Sequence, residues 1–177
     1  MINYEIEGGN LPVVICYPEA GQALCTQSGA MSWMSPNMKM DTNTGGGLKK
    51  MFGRLFTGES IFMNEYTPMG GRGMIAFASS FPGSIIPFEV TPGNGIIVQK
   101  RGFLAMEKGL ELSVYFQKRL GKGLFGGEGL FHTRITGPGK VYIQSMPVIN
   151  TAERLAPYIQ INTDSDNSGG IKIKLGD

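Results

Sequence analysis

The chain has few of the residues that carry most protein chemistry. Its 177 residues include one histidine, His132, and two cysteines, Cys16 and Cys25. A structural zinc site needs four such ligands at tight spacing, so no metal is expected. Neither cysteine belongs to a C-x-x-C pair, and two are too few for a disulfide framework. Pairing of the two across a hairpin is the alternative. Charged residues are 17% of the chain, below the roughly one quarter of an average domain. With 41% apolar residues and a net charge of +2, disorder over most of the length is excluded. No uncharged apolar run reaches the roughly 18 residues of a membrane helix. The opening Met1-Ile2-Asn3-Tyr4-Glu5 has neither the basic region nor the apolar core of a secretory signal, so a cytoplasmic location is expected.

What the chain does have is turn punctuation: 27 glycines and ten prolines. That balance predicts many short strands joined by tight turns. Period-2 patterns mark strands at Val13–Tyr17, Ala23–Thr26, Ile61–Tyr66, Met74–Ala78, Ile96–Gln99, Leu112–Phe116, Leu130–Thr136, Val141–Gln144 and Ile171–Leu175. Val13-Val14-Ile15 and Ile96-Ile97-Val98 are apolar on both faces, so a second sheet or a neighbouring subunit should cover them. Helix is scarce. Leu48, Met51, Phe52, Leu55 and Phe56 have helical spacing inside a Gly-bounded insertion. Phe116 to Leu124 repeats this more weakly, because Gly121 and Gly123 interrupt it. Thr151 to Leu155 could add a helical turn before Pro157. Thr163 to Gly170 is polar and reads as an exposed loop.

The strongest pattern is internal repetition. Leu55-Phe56-Thr57-Gly58-Glu59-Ser60-Ile61-Phe62 returns as Leu124-Phe125-Gly126-Gly127-Glu128-Gly129-Leu130-Phe131. Tyr66-Thr67-Pro68-Met69-Gly70 returns as Ile135-Thr136-Gly137-Pro138-Gly139. Tyr17-Pro18-Glu19-Ala20-Gly21-Gln22-Ala23-Leu24 resembles Thr91-Pro92-Gly93-Asn94-Gly95-Ile96-Ile97, with Tyr17-Pro18 matching Thr91-Pro92. Such repetition marks a duplicated structural unit. The expected organisation is a first β unit over 1–83, a second over 84–147, and an extension over 148–177 packing on the β core. A residue kept in both copies then answers to the shared fold before any chemistry.

The candidates for chemistry are weighed on that test. His132 lies opposite Met63 under the repeat and has no Ser or Cys nucleophile context, so a structural role is expected. Gly121-Lys122-Gly123-Leu124-Phe125-Gly126 matches G-x-G-x-x-G but lacks the strand before it and the helix within it. Glu59 and Glu128 each follow a glycine and precede a strand; they read as structural carboxylates accepting backbone N–H bonds or pairing with a cation. No catalytic residue, cofactor or enzyme activity is expected.

The best functional lead is basic. Lys49, Lys50 and Arg54 precede the first copy, and Lys118, Arg119 and Lys122 the second. No Asp or Glu occurs from Thr42 to Gly58 or from Leu112 to Gly127. Without these six, ten basic residues face 14 acidic ones. A basic surface beside Leu, Met and Phe suits an acidic partner protein or an anionic membrane. RNA or a small ligand held by a ring is the alternative, and a carboxylate-based enzyme ranks last. The bland reading is a solvated loop packing its apolar side on the sheet. The eleven methionines fit adaptable core filling or an adaptable interface.

Met1 to Glu7, Gly29-Ala30-Met31-Ser32-Trp33-Met34, Gly45-Gly46-Gly47, Gly58-Glu59-Ser60-Ile61-Phe62, Gly126 to Phe131 and Gly137 to Gln144 together resemble the altered inheritance of mitochondria protein 24 family. The resemblance runs from Met1 to Ser145. It implies an all-β fold similar to the tryptophan RNA-binding attenuation protein: a short double-stranded β-helix, repeated in the chain and assembled into rings. It supplies no catalytic residues. Members often carry three units, where two are found here, so ring stoichiometry does not transfer. The expectation is therefore an all-β homo-oligomer of two β-helix-like or β-sandwich-like units, with one or two short helical loop insertions.

Overall fold

The computed structural model describes residues 1–27, 29–42, 63–99, 101–116, 131–147, 155, 159–162 and 172–175. The described residues form fifteen strands, and every pairing between them is antiparallel. The first unit holds β2 (Val13–Tyr17), β3 (Leu24–Gln27), β4 (Met31–Met34), β5 (Met38–Thr42), β6 (Met63–Pro68) and β7 (Ile75–Ala78). The second holds β8 (Ile85–Val90), β9 (Ile96–Gln99), β10 (Phe103–Glu107), β11 (Glu111–Phe116), β12 (Phe131–Thr136) and β13 (Gly139–Gln144). β1 (Asn3–Glu7) precedes them, and β14 (Ile159–Asn162) pairs with β15 (Lys172–Leu175).

The pairing pattern occurs twice. In the first unit β5 pairs β6, β6 pairs β3, and β7 lies between β2 and β4. In the second β11 pairs β12, β12 pairs β9, and β13 lies between β8 and β10. Details repeat as well. A bulge interrupts β4 between Met31 and Trp33, and another interrupts β10 between Phe103 and Ala105. Each bulge re-aims the side chains after it at the same point in its unit. The turns correspond too: Gln22 N–H donates to Glu19 O at 2.9 Å, and Asn94 N–H to Thr91 O at 2.9 Å. Both turns need a positive φ, supplied by Gly21 (85°) and Gly93 (83°). This register pairs the glycines and corrects the alignment on Pro18 and Pro92. Pro18 is buried, whereas Pro92 is exposed.

Two further pairings join the parts. β1 adds to β2, and β10 of the second unit adds to β3 of the first. The result is a four-stranded sheet (β1-β2-β7-β4), a six-stranded sheet (β5-β6-β3-β10-β13-β8) and a three-stranded sheet (β11-β12-β9). The six-stranded sheet is the middle layer. On one face Leu24, Tyr66, Leu104 and Tyr142 meet Val14, Cys16, Ile75 and Phe77 of the four-stranded sheet. On the other face Cys25, Phe103, Met106 and Val141 meet Val98, Leu112 and Ile135 of the three-stranded sheet. Alternation along each strand sends neighbours such as Leu24 and Cys25 to opposite cores.

β1, β4, β5, β8, β10 and β14 escape the period-2 reading. Leu104-Ala105-Met106-Glu107 in β10 are helix formers by intrinsic preference. They are extended because strands flank β10 on both edges and apolar layers cover both faces, burying all five of its residues. β8 contains Pro87, which a strand tolerates at a sheet edge, where β8 lies. The helical stretch expected at Leu48–Phe56, residues 117–124 of its weaker twin, and the polar loop over 163–170 lie outside the described residues.

Candidate functional site

The six basic residues Lys49, Lys50, Arg54, Lys118, Arg119 and Lys122, with Glu59 and Glu128, lie outside the described residues. Their points of attachment are described. The first basic segment joins β5 to β6, and the second joins β11 to β12. These are corresponding hairpins. Met40 and Leu24 flank Tyr66, as Leu112 and Ile96 flank Ile135. The two hairpins belong to neighbouring layers that share one core.

One gathering of titratable groups among the described residues is internal. Glu107 is buried; its Oε1 accepts from Ile2 N–H at 2.6 Å and its Oε2 from Lys140 N–H at 3.0 Å. Nearby, the Lys140 ammonium sits 4.5 Å above the Tyr4 ring, and Tyr4 packs edge-on against Tyr142 at 5.3 Å. The buried Tyr142 hydroxyl has the Cys16 thiol beside it, a weak partner in a geometry short of a full hydrogen bond. Burial pushes the Tyr142 phenol above its ordinary range. Burial likewise pushes the Cys16 thiol up to about 12, despite the offsetting Tyr142 hydroxyl. Both groups stay protonated at neutral pH, so neither is an activated nucleophile or base.

The repeat explains Glu107. In the first unit Met74 N–H donates to Ser35 Oγ at 3.0 Å. Ser35 follows β4 as Glu107 closes β10, and Met74 precedes β7 as Lys140 stands at the start of β13. One backbone amide is therefore satisfied in both units, by a hydroxyl in one and a carboxylate in the other. The longer side chain also reaches Ile2 and fixes the start of the chain. A polar residue at both matched positions was the signal available in sequence, and the apolar run of β10 obscured it.

Other polar groups also hold the structure. Glu65 accepts from Lys108 Nζ at 2.7 Å, and that bond raises the Lys108 pKa. Burial, then the Glu65 charge, lifts the Cys25 thiol to about 11. Cys16 and Cys25 are both free and belong to different cores, so they do not face each other across a hairpin. His132 is half-buried on β12, opposite Tyr115 and Gln99, in the place that Met63 occupies opposite Gln27. Among the described residues no three His, Cys, Asp or Glu side chains gather as a metal site would require. No helix among them is long and apolar enough to cross a membrane.

A family model for mitochondrial biogenesis AIM24 matches residues 4–161. The chain belongs to this family. The resemblance carried by the Gly-Glu and Gly-Pro-Gly motifs leads to the same family. No functionally curated protein matches the chain. A Streptococcus pyogenes protein solved by X-ray crystallography is similar at 19% identity, over 89% of this chain and 100% of that one, with a TM-score of 0.48.

Proposed function

We propose that this AIM24-family protein is a non-catalytic binding module whose two basic segments engage one anionic surface. The observation that carries the reading is the common attachment of both basic segments. Each is inserted into the same hairpin of its unit, β5–β6 and β11–β12. Two insertions free of Asp and Glu over Thr42–Gly58 and Leu112–Gly127, on a chain otherwise net acidic, concentrate positive charge. The partner chemistry this favours is a membrane rich in acidic headgroups, met by lysine and arginine with nearby Phe and Leu.

A sedimentation assay with vesicles tests this. Binding to phosphatidylserine-containing vesicles is expected at low salt, with little binding to pure phosphatidylcholine. Each basic residue near the surface contributes about 1 kcal/mol. The Lys49→Glu/Lys50→Glu variant should therefore weaken binding at least tenfold, and raising salt should do the same to the native chain. Equal binding to neutral vesicles, or an unaffected variant, overturns the reading. A preference for single-stranded RNA over vesicles, steeply lost with salt, would replace it with the RNA alternative.

A further inference from the structure

We propose that a second copy of this chain docks head to tail on the first, β9 of one copy pairing with β4 of the next. This inference is independent of the basic-loop reading. It rests on the one strand pairing that links the two units among the described residues, β3 with β10. That pairing runs antiparallel, with Leu24 opposite Glu107, Cys25 opposite Met106 and Thr26 opposite Ala105. It fuses three strands of the first unit with three of the second into the middle sheet.

Each strand of that pair has a counterpart at an end of the stack. β9 is to the second unit what β3 is to the first: it pairs with β12 as β3 pairs with β6. β4 is to the first unit what β10 is to the second, with the same bulge. Among the described residues β9 and β4 are each paired along one edge, where β3 and β10 are paired along both. Their sheets pack on opposite faces of the middle sheet, so one chain does not join them.

Side-chain exposure follows the same logic. Ile97 is 49% exposed, whereas its counterpart Cys25 is 3% exposed. Trp33 is 45% exposed, whereas its counterpart Ala105 is fully buried. All of β10 is buried, while β4 is half-buried or exposed throughout. These apolar side chains lie on paired-strand positions whose internal equivalents are covered. An open apolar strand edge is a template for pairing with another chain. Transferring the internal register places Ile97 opposite Met34, Val98 opposite Trp33 and Ile96 opposite Ser35. The three strands of one copy and the four of the next then form one continuous sheet. One internal bond is not reproduced: Lys108 N–H donates to Ala23 O at 2.9 Å, and the counterpart of Lys108 is Pro36, which has no N–H. The contact uses two different surfaces, so it closes into a ring or runs on as a filament.

Light scattering on the purified full chain, with Ile97→Lys and Trp33→Lys made separately, tests this. The native chain is expected to be larger than a monomer. Each variant alone should fall to the monomer mass with its far-ultraviolet circular dichroism unchanged. An equimolar mixture should return to a dimer and no further, because only one intact pair of ends remains. Assembly that survives either substitution, a mixture that stays monomeric, or a monomeric native chain overturns the proposal. An Ile97→Cys/Met34→Cys chain guards against misfolding of the lysine variants. Under mild oxidation it should give a ladder of cross-linked copies. Monomer alone, or a bond closed within one chain, defeats it. A native chain freed to assemble only by deleting residues 148–177 would give the edge to its own β14–β15 hairpin instead.

Discussion

Ser35 and Glu107 satisfy the same amide in two settings, and the difference between them can be measured. Replacing Glu107 with Ala strands two backbone donors at once, Ile2 N–H and Lys140 N–H. Each unsatisfied buried group costs about 1–3 kcal/mol. Urea unfolding should therefore show a loss of roughly 2–5 kcal/mol, whereas Glu107→Gln, which keeps one acceptor but turns an NH2 on the other N–H, should still lose about half of that. Arg101 is the one described non-glycine residue with positive φ, 64°, and it stands where the first unit has Gly29, at 92°. Its carbonyl accepts from the buried Gln144 amide at 2.7 Å, which holds the turn. Gly29→Ala should cost about 1 kcal/mol, and Arg101→Gly should leave thermal stability level or raise it by up to about that amount. The thiols give a pH signature. Cys16 and Cys25 ionise near 9 when unfolded but are raised to about 12 and about 11 when folded. The folded state thus keeps protons that the unfolded state loses. Their contribution is intact below pH 9 and disappears as pH climbs through the folded values. A urea midpoint that falls across that alkaline window, less steeply once both cysteines are replaced by Ala, checks the sign.

At the scale of the element, matched strands have unequal surroundings. Met106 on β10 and Met34 on β4 stand at the same point after the same bulge. Met106 is buried in the middle sheet, and Met34 only packs against the border of its core. Met106→Ala should cost about 2–5 kcal/mol, the range for a buried large-to-small change. Met34→Ala should cost less than half as much in the dissociated chain. Denaturation of the two variants at low protein concentration compares them directly. β2 was legible because Val13-Val14-Ile15 combines β-branching with a largely buried place between β1 and β7. β10 was not, since Leu104, Ala105 and Met106 prefer helix and become a strand only through neighbours on both edges. β4 hid for a related reason: Met31-Ser32-Trp33-Met34 contains a bulge, which breaks the alternation by one residue.

At the scale of the whole molecule, the layered order sets where the chain resists opening. β3 and β10 pair along both edges and are covered on both faces. Their amides should exchange with solvent most slowly, by hydrogen-exchange mass spectrometry, while those of β1 and β8, at sheet edges, open first. β4 and β9 report assembly: their protection should rise with protein concentration. Turn chemistry and repeated motifs, read along the chain alone, determined the all-β class, the doubling and the family, because glycine conformation and strand periodicity are local properties. Sequence also placed charge on two insertions. Only the tertiary structure decided which strands of the two units fuse into a middle sheet, why Glu107 is a bracket for backbone amides, and which apolar strands are left at the ends. Those outcomes depend on partners distant in sequence, and the energy of a buried edge belongs to the pair of strands, not to either one.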